Sequence, residues 1–153
     1  MHGRRLILAG SIAVLTLAAS GPLRAADGAK LYEGHCVACH QPDGNGAEGL
    51  APPLAGVLAK RAQSASGREY LAQVLVSGMI GTITSRGVKY NGNMPAATLS
   101  DEELVAVMGH VLATFNGVSQ PLPVELFIAA RGKALAPSAV RQLRERVLAE
   151  VGE

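Results

Sequence analysis

The sequence predicts an all-α fold of three main helices, with a helical extension at its C-terminus. Apolar residues recur at helical spacing in three segments, 27–35, 66–78 and 100–115. The second and third segments open with S-x-x-E capping boxes at Ser66 and Ser100, and Asp27 can cap the first. These helix starts and apolar stripes together predict the fold class.

The first two helices are separated by a loop. On the first, Gly28 and Tyr32 lie one turn apart, so the glycine allows another helix to approach closely. Residues 41–53 predict a loop because their glycines and prolines prevent regular structure. The second helix is expected to end at Gly78.

A second loop separates the last two main helices. Residues 81–93 are glycine-rich and predict this loop, with at most a short extended pair. Acidic residues in the first turn of the third helix suit its positive end. After a linker at 117–122, two short helices are expected at 123–131 and 137–151. The apolar stripe of the last helix leaves three charged residues on the opposite face, Arg141, Arg144 and Glu145.

Residues 1–25 are typical of a secretory signal peptide. Arg4 and Arg5 precede a short apolar run, and small residues lead to a cleavage site near Ala25. An uncleaved anchor is the alternative, but the run is shorter than the roughly 20 residues that a membrane-spanning helix needs. The sequence therefore predicts a periplasmic protein with no stable membrane insertion after cleavage.

The mature chain is expected to carry little net charge. The sequence has 14 lysines and arginines against 12 acidic residues, and cleavage would remove three arginines, which moves the formal charge from +2 to −1. No basic patch with interleaved aromatic residues is present, so nucleic acid is not a predicted partner. Aromatic residues are scarce, and a bound flat apolar group would enlarge a small core.

The only two cysteines, Cys36 and Cys39, are followed directly by His40. This C-x-x-C-H pattern is the attachment signature of c-type haem. Each thiol can add to one vinyl group of the porphyrin, and the two intervening residues let both sulfurs face the same edge of the ring. The imidazole of His40 can then bind the iron. The pattern predicts one covalently bound haem c.

Three other uses of the cysteines fit the sequence less well. A thioredoxin-like redox pair belongs to a βαβ context, and no strand pattern surrounds these cysteines. A structural zinc site needs four ligands, and outside the leader only His35 and His110 remain beyond the motif. A disulfide across two residues would close a small strained ring that stabilises little.

A haem iron bound by one histidine has a sixth position, for which Met94 is the leading candidate. It is expected on a loop between two helices that can flank a haem, and Pro95 stiffens that loop. Thioether sulfur is an established haem ligand. The rivals are less well placed: Met79 after the second helix, Met108 and His110 on the third, and His35 beside a cysteine.

Two further residues are candidates for the wall of the haem site. A ligating histidine normally donates its other ring N–H to a carbonyl, and the carbonyl of Pro52 is the candidate acceptor for His40. Leu54 is expected to pack on the ring.

With these motifs in family order, the sequence resembles a class I, His/Met-ligated monohaem cytochrome c of the bacterial, periplasmic type. The resemblance covers about residues 27–115 and is carried by five stretches, 28–32, 36–40, 51–54, 90–95 and 99–103. It implies the cytochrome c fold, with the first and last main helices crossing near Gly28. It also implies a cytochrome c domain at 26–116, followed by the extension at 117–153.

The resemblance also implies site residues. It makes Met94 the sixth ligand and Pro52 the carbonyl partner of His40, and it places Tyr90 or Asn91 near a haem propionate. The family usually has an aromatic residue where His110 stands, so His110 is expected either to weaken the helix crossing or to stack there.

The implied function is one-electron transfer without enzyme activity, between redox proteins such as a dehydrogenase and a terminal oxidase. Two alternatives stay open. The chain could be the cytochrome subunit of a periplasmic dehydrogenase complex, docked through 117–153. It could also be a haem sensor or a peroxidase-like protein with a labile sixth ligand.

Overall fold

The structure, a computed structural model, describes residues 26–153, so the predicted signal peptide lies outside the described residues. In chain order its elements are α1 (Gly28–His35), α2 (Val37–His40), α3 (Ala59–Gln63), α4 (Ala65–Ser77), β1 (Met79–Ser85), β2 (Val88–Met94), α5 (Asp101–Asn116), α6 (Val124–Gly132) and α7 (Pro137–Val151). Helices make up most of this part of the chain, which confirms the predicted all-α class.

Helices α1 and α5 cross in close contact at Gly28. A Cβ atom added there would overlap the carbonyl oxygen of Ala106 and lie 3.0 Å from the Cβ of His110. The prediction that Gly28 permits close helix approach is therefore confirmed. Asp27 caps α1 as expected, because its side chain accepts a hydrogen bond of 3.3 Å from the N–H of Lys30.

Three rings pack together beside this crossing. The ring centroids are 5.6 Å apart for Tyr32 and His110, 5.2 Å for Tyr32 and Phe115, and 5.5 Å for His110 and Phe115. Tilted and edge-on pairs at these distances are favourable. His110 thus stacks at the crossing, the second of its two expected outcomes. The Tyr32 hydroxyl also donates to the carbonyl of Gln41 at 2.7 Å, which joins α1 to the following loop.

The second main helix, α4, begins two residues earlier than predicted. Its N-cap is Ser64, whose Oγ accepts a hydrogen bond of 2.9 Å from the N–H of Gly67. Ser66, the expected cap, lies inside the helix and donates to Glu150 at 2.6 Å. The cause is the short helix α3, which the sequence did not predict. Its Arg61 backbone packs directly on Gly67 and leaves Ser64 as the extended residue between the two helices.

The third main helix, α5, is capped as predicted. The Ser100 Oγ accepts from the N–H of Glu103 at 3.2 Å, and the Glu103 carboxylate accepts from the N–H of Ser100 at 2.8 Å. The helix ends at Asn116, and Gly117 follows in the left-handed conformation with φ of 65°. This is a common helix stop, because glycine adopts positive φ without a Cβ clash.

A hairpin occupies most of the segment for which the sequence predicts a loop. Strands β1 and β2 pair antiparallel over seven residues each, with Met79 opposite Met94 and Ser85 opposite Val88. The expectation of at most a short extended pair was therefore wrong. The two-residue turn has positive φ at both positions, Arg86 and Gly87, which suits a tight hairpin. Helix α7 packs on β1 and supports the hairpin from one side.

The C-terminal helices pack on α4, α5 and β1. Phe127 of α6 and Val140 of α7 are fully buried in the same hydrophobic core as the first helices. The buried side chain of Gln73 adds polar contacts, donating to the carbonyl of Lys133 at 3.0 Å and accepting from the N–H of Leu135 at 3.3 Å. The extension is thus held by both apolar packing and specific hydrogen bonds.

Candidate cofactor site

The two cysteines and the following histidine lie on one turn of helix. Cys36 joins α1 to α2, and its carbonyl accepts from the N–H of Cys39 at 3.2 Å and of His40 at 2.9 Å. Residues three apart on a helix lie on the same face. Both thiols are free, and all three side chains line one cavity. The turn therefore presents two nucleophilic sulfurs and one imidazole to the same space.

The imidazole of His40 is held in one orientation. Its Nδ1 lies 3.0 Å from the carbonyl oxygen of Pro52. A carbonyl can only accept, so Nδ1 carries the proton and Nε2 keeps its lone pair. Burial lowers the pKa of His40, against a smaller opposing effect of the Pro52 hydrogen bond. A neutral, oriented imidazole with a basic Nε2 is the form that binds a metal.

The cavity in front of this turn has a volume of about 510 Å³. The end of the second strand and the segment that follows it, residues 90–98, also line this cavity. A smaller pocket of about 80 Å³ continues inward and shares seven lining residues with it, Cys36, His40, Pro52, Leu75, Met79, Ile83 and Met94. The two spaces together form a cleft with mostly apolar walls, as ligand sites commonly have.

Two methionines line both parts of the cleft. Met94 ends strand β2 and Met79 begins strand β1, and they are register partners. The expectation that Met94 lies on a loop was wrong, because pairing with β1 extends the strand up to it. Met108 lies on α5 and lines only the inner pocket. The structure therefore leaves Met79 as the nearest rival to Met94.

The remaining expected wall residues lie at different depths. Pro52 lines both parts of the cleft, and Leu54 lines only the inner pocket. Tyr90 and Asn91 line the outer cavity, where the Asn91 side chain accepts a hydrogen bond from the hydroxyl of Thr82 at 3.2 Å. The structure thus brings the predicted site residues around one cleft.

Sequence reasoning missed a polar group at the inner end of the cleft. Arg61, Tyr70, Ser85 and Arg144 line the inner pocket, and each is at most 5% exposed. The prediction that Arg144 lies opposite the buried stripe of its helix was wrong, since hairpin and helices cover it. Sequence offers no clear signal for these residues, because arginine is rarely fully buried.

The cleft fits an iron porphyrin. Two thiols, an oriented imidazole and two thioether side chains line this cleft, and most of its other walls are apolar. The buried guanidinium groups at the inner end suit a ligand with carboxylates. The donor set matches covalent haem with histidine as one axial ligand.

Comparisons with known proteins agree with this geometry. Residues 25–114 match the family model described as cytochrome c. The chain belongs to the cytochrome c family. It is also 40% identical over 131 residues to a cytochrome c-552 of Thermus thermophilus, a match that covers 82% of this chain and 88% of the relative. A second Thermus thermophilus cytochrome c-552 is 40% identical over 128 residues, covering 80% of this chain and 97% of the relative.

These longer matches place part of the extension within the similarity. Even if the match of 131 residues included all of residues 1–24, it would still continue past residue 114, where the family model ends. This cytochrome c therefore shares more than the common helical core with those relatives. Its family binds haem c covalently, with iron at the centre of the ring. Within residues 26–153, none of the helices has the length and hydropathy of a membrane span.

Proposed function

We propose that this cytochrome c is a periplasmic carrier that transfers single electrons on one haem c, with His40 and Met94 as axial ligands. The observation that carries the proposal is the hydrogen bond between His40 Nδ1 and the Pro52 carbonyl at 3.0 Å. It leaves Nε2 free to bind iron, and both thiols and Met94 line the same cavity as His40, which supports Met94 as the second axial ligand.

The residues have separate roles in this proposal. Cys36 and Cys39 hold the cofactor through thioethers, and Pro52 keeps the His40 ring in one tautomer. Haem iron supplies the one-electron change between its ferric and ferrous forms. A thioether from Met94 favours the ferrous form and so raises the midpoint potential. With both axial positions filled by the chain, substrate binding at the iron is suppressed.

The predicted leader supports periplasmic location, since covalent haem attachment takes place on the outer side of the membrane in exported cytochromes. The two relatives are named as cytochromes c-552. We extend this to a carrier role between redox proteins, such as a dehydrogenase and a terminal oxidase. Phe127 of α6 and Val140, Leu143 and Val147 of α7 are buried within this chain, and Ile128 is the one large apolar residue of these two helices that is exposed. This burial disfavours the two helices as the docking face of a dehydrogenase subunit.

The test is spectroscopy and mass measurement on protein purified from the periplasm. We expect the mass of the processed chain plus one haem, c-type absorption bands in the reduced form, and a single one-electron redox transition. A weak near-infrared band in the oxidised form is expected from sulfur ligation. A protein without covalent haem would contradict the proposal.

Carbon monoxide separates the carrier from a haem sensor or a peroxidase-like protein. We expect the reduced protein to bind carbon monoxide slowly or not at all at neutral pH, because a protein side chain occupies the sixth position. Rapid stoichiometric binding would show that this position is open and would favour the alternative functions.

A further inference from the structure

A single residue, Gly78, joins the end of helix α4 to the start of strand β1. Its N–H donates to the carbonyl of Val74 at 3.1 Å and so completes the last turn of the helix. Its φ of 71° and ψ of −174° lie in a region that only glycine adopts without strain. The chain therefore passes directly from a core helix into the strand that begins at Met79.

The backbone of Met94 and of the two residues after it packs directly on Gly78. A Cβ atom added at Gly78 would overlap the carbonyl oxygen of Met94, and it would lie 2.8 Å from the nitrogen of Ala96 and 2.9 Å from the carbonyl carbon of Pro95. Gly78 is buried, whereas Pro95 and Ala96 are exposed, so the glycine lies beneath this segment. Even one methyl group therefore does not fit between the helix end and the segment.

Two further contacts hold the same segment at its ends. The N–H of Ala97 donates to the carbonyl of Leu75 at 2.8 Å, which ties the far end of the segment to α4. At the near end, Met94 pairs with Met79 in the sheet. Leu75 and most of its neighbours on α4 are buried in the hydrophobic core. The position of Met94 is thus defined by a core helix, even though the residues that follow it are exposed.

We propose that Gly78 is the positioning residue for the sixth haem ligand. Because Gly78 has no side chain, the Met94 backbone packs against the end of α4, and this contact keeps the thioether available to the iron. The inference rests on the proposed ligation by Met94 and adds the residue that determines where this ligand lies. An external ligand binds the iron only in the fraction of molecules whose sixth position is open, so the contact also limits access to the haem.

The first test uses the unmodified holoprotein. Hydrogen exchange of the Ala97 N–H reports how often the segment separates from the helix. We expect its protection to be close to that of the buried amides of α4, and far above that of Gly87, which lies in the exposed hairpin turn. Protection as low as that of Gly87 would show that the segment opens independently of α4, and it would overturn the proposal whether or not any variant folds.

The second test is Gly78→Ala, which adds one methyl group at the contact. One of the two backbones must shift, because the added Cβ overlaps the carbonyl oxygen of Met94. The reduced variant should bind carbon monoxide on the order of ten times faster than the unmodified protein, which corresponds to about 1.4 kcal/mol less free energy of ligation. The near-infrared sulfur-to-iron band should weaken, and the midpoint potential should fall. An unchanged binding rate with an unchanged band would overturn the proposal.

Gly152→Ala is the matched control for backbone strain. Gly152 ends helix α7 with a φ of 74° and a ψ of −175°, nearly the conformation of Gly78, and its N–H donates to the carbonyl of Leu148 at 2.9 Å. In the described part of the chain, the one atom within 4 Å of an added Cβ is Nζ of Lys60, at 3.4 Å, at the movable end of its side chain. This variant should lose free energy of unfolding but keep the band and the carbon monoxide rate.

Gly117→Ala is a second control at a helix end. Gly117 follows α5 with a φ of 65°, and in the described residues nothing lies within 4 Å of its added Cβ. It should also keep both readouts. If both control variants change the readouts as much as Gly78→Ala does, then general destabilisation rather than the contact with Met94 is responsible, and the proposal is wrong.

Met94→Ala separates failure of this proposal from failure of the ligand assignment. If Met94→Ala leaves the band and the carbon monoxide rate unchanged, the ligand assignment is wrong and the inference fails with it. If Met94→Ala changes both, the Gly78→Ala result decides the inference alone. The double variant should bind carbon monoxide at the rate of Met94→Ala, because Gly78 acts through Met94. A further increase in the double variant would show that Gly78 acts by loosening the cleft instead.

Discussion

Met79 and Met94 stand opposite each other at the open end of the β1–β2 hairpin, and both side chains line the cleft that faces His40. Two thioether side chains therefore line the same cleft as His40. Pro95 directly follows Met94 and limits its backbone freedom. This arrangement makes Met79 a built-in control for the proposed ligand.

Met94→Ala should abolish the near-infrared sulfur-to-iron band and lower the midpoint potential, because the soft ligand that favours ferrous iron is lost. Met79→Ala should keep the band, since it removes only packing in the wall. Near-infrared absorption and redox titration of both variants provide the measurement. If Met79→Ala loses the band and Met94→Ala keeps it, then Met79 is the haem ligand and Met94 is the packing residue.

Gly28→Ala should destabilise the protein by about 1 to 3 kcal/mol, the usual cost of forcing an extra methyl group into a packed contact. Its Cβ would overlap the carbonyl oxygen of Ala106 and push α1 away from α5. Gly34→Ala is the control on the same helix, because nothing lies within 4 Å of its added Cβ. That variant should gain roughly 0.5 kcal/mol from helix propensity. Denaturant unfolding measures the free energy of unfolding of both variants. Equal changes would show that the crossing of α1 and α5 is looser than described.

Ser64→Ala should destabilise the protein by about 1 kcal/mol, the typical cost of losing a helix N-cap. The Ser64 Oγ accepts from the N–H of Gly67, which would lose its partner. Ser66→Ala should cost less, since it removes an exposed hydrogen bond to Glu150 and a 3.3 Å hydrogen bond with the Ser64 hydroxyl but leaves the N–H of Gly67 paired. Denaturant midpoints of the two variants test the corrected start of α4. A larger destabilisation by Ser66→Ala than by Ser64→Ala would show that Ser66 is the N-cap, as the sequence predicts.

Tyr32→Phe should reduce the amount of stability that the protein loses at alkaline pH. Burial, with smaller effects of Cys36 and Asp43, raises the pKa of Tyr32 from 10.0 to about 12. A pKa raised by folding means that the stabilising contribution is complete below pH 10 and is lost between about 10 and 12. The free energy of unfolding of the native protein should therefore fall more steeply than that of the variant in this window. Equal slopes of the free energy of unfolding against pH for the two proteins would contradict a raised pKa for Tyr32.

Much of the fold could be predicted because its signals are local. The capping box at Ser100 fixes the start of α5 within its own four residues, and Gly28 marks a close helix contact by lacking a side chain. The C-x-x-C-H segment predicts its own cofactor for the same reason: both thiols and the imidazole lie within five consecutive positions. Such signals need no knowledge of the rest of the chain.

The features that were missed depend on distant partners. Strand β2 carries Asn91, Gly92 and Asn93, which have low strand propensity, and it forms because β1 is held against α7. Burial of Arg61 and Arg144 likewise depends on elements that are far apart in sequence. Propensity alone assigns such side chains to the surface, so only the assembled structure shows them inside.

The Gln73 side chain has a further consequence for the C-terminal helices. Its amide donates to Lys133 and its oxygen accepts from Leu135, while Ser77 supplies another hydrogen bond to the same oxygen at 3.1 Å. Apolar surfaces alone would tolerate small slides of one helix over another, whereas these directional bonds are satisfied in a single alignment. The side chains of α7 are therefore held at fixed positions relative to α4.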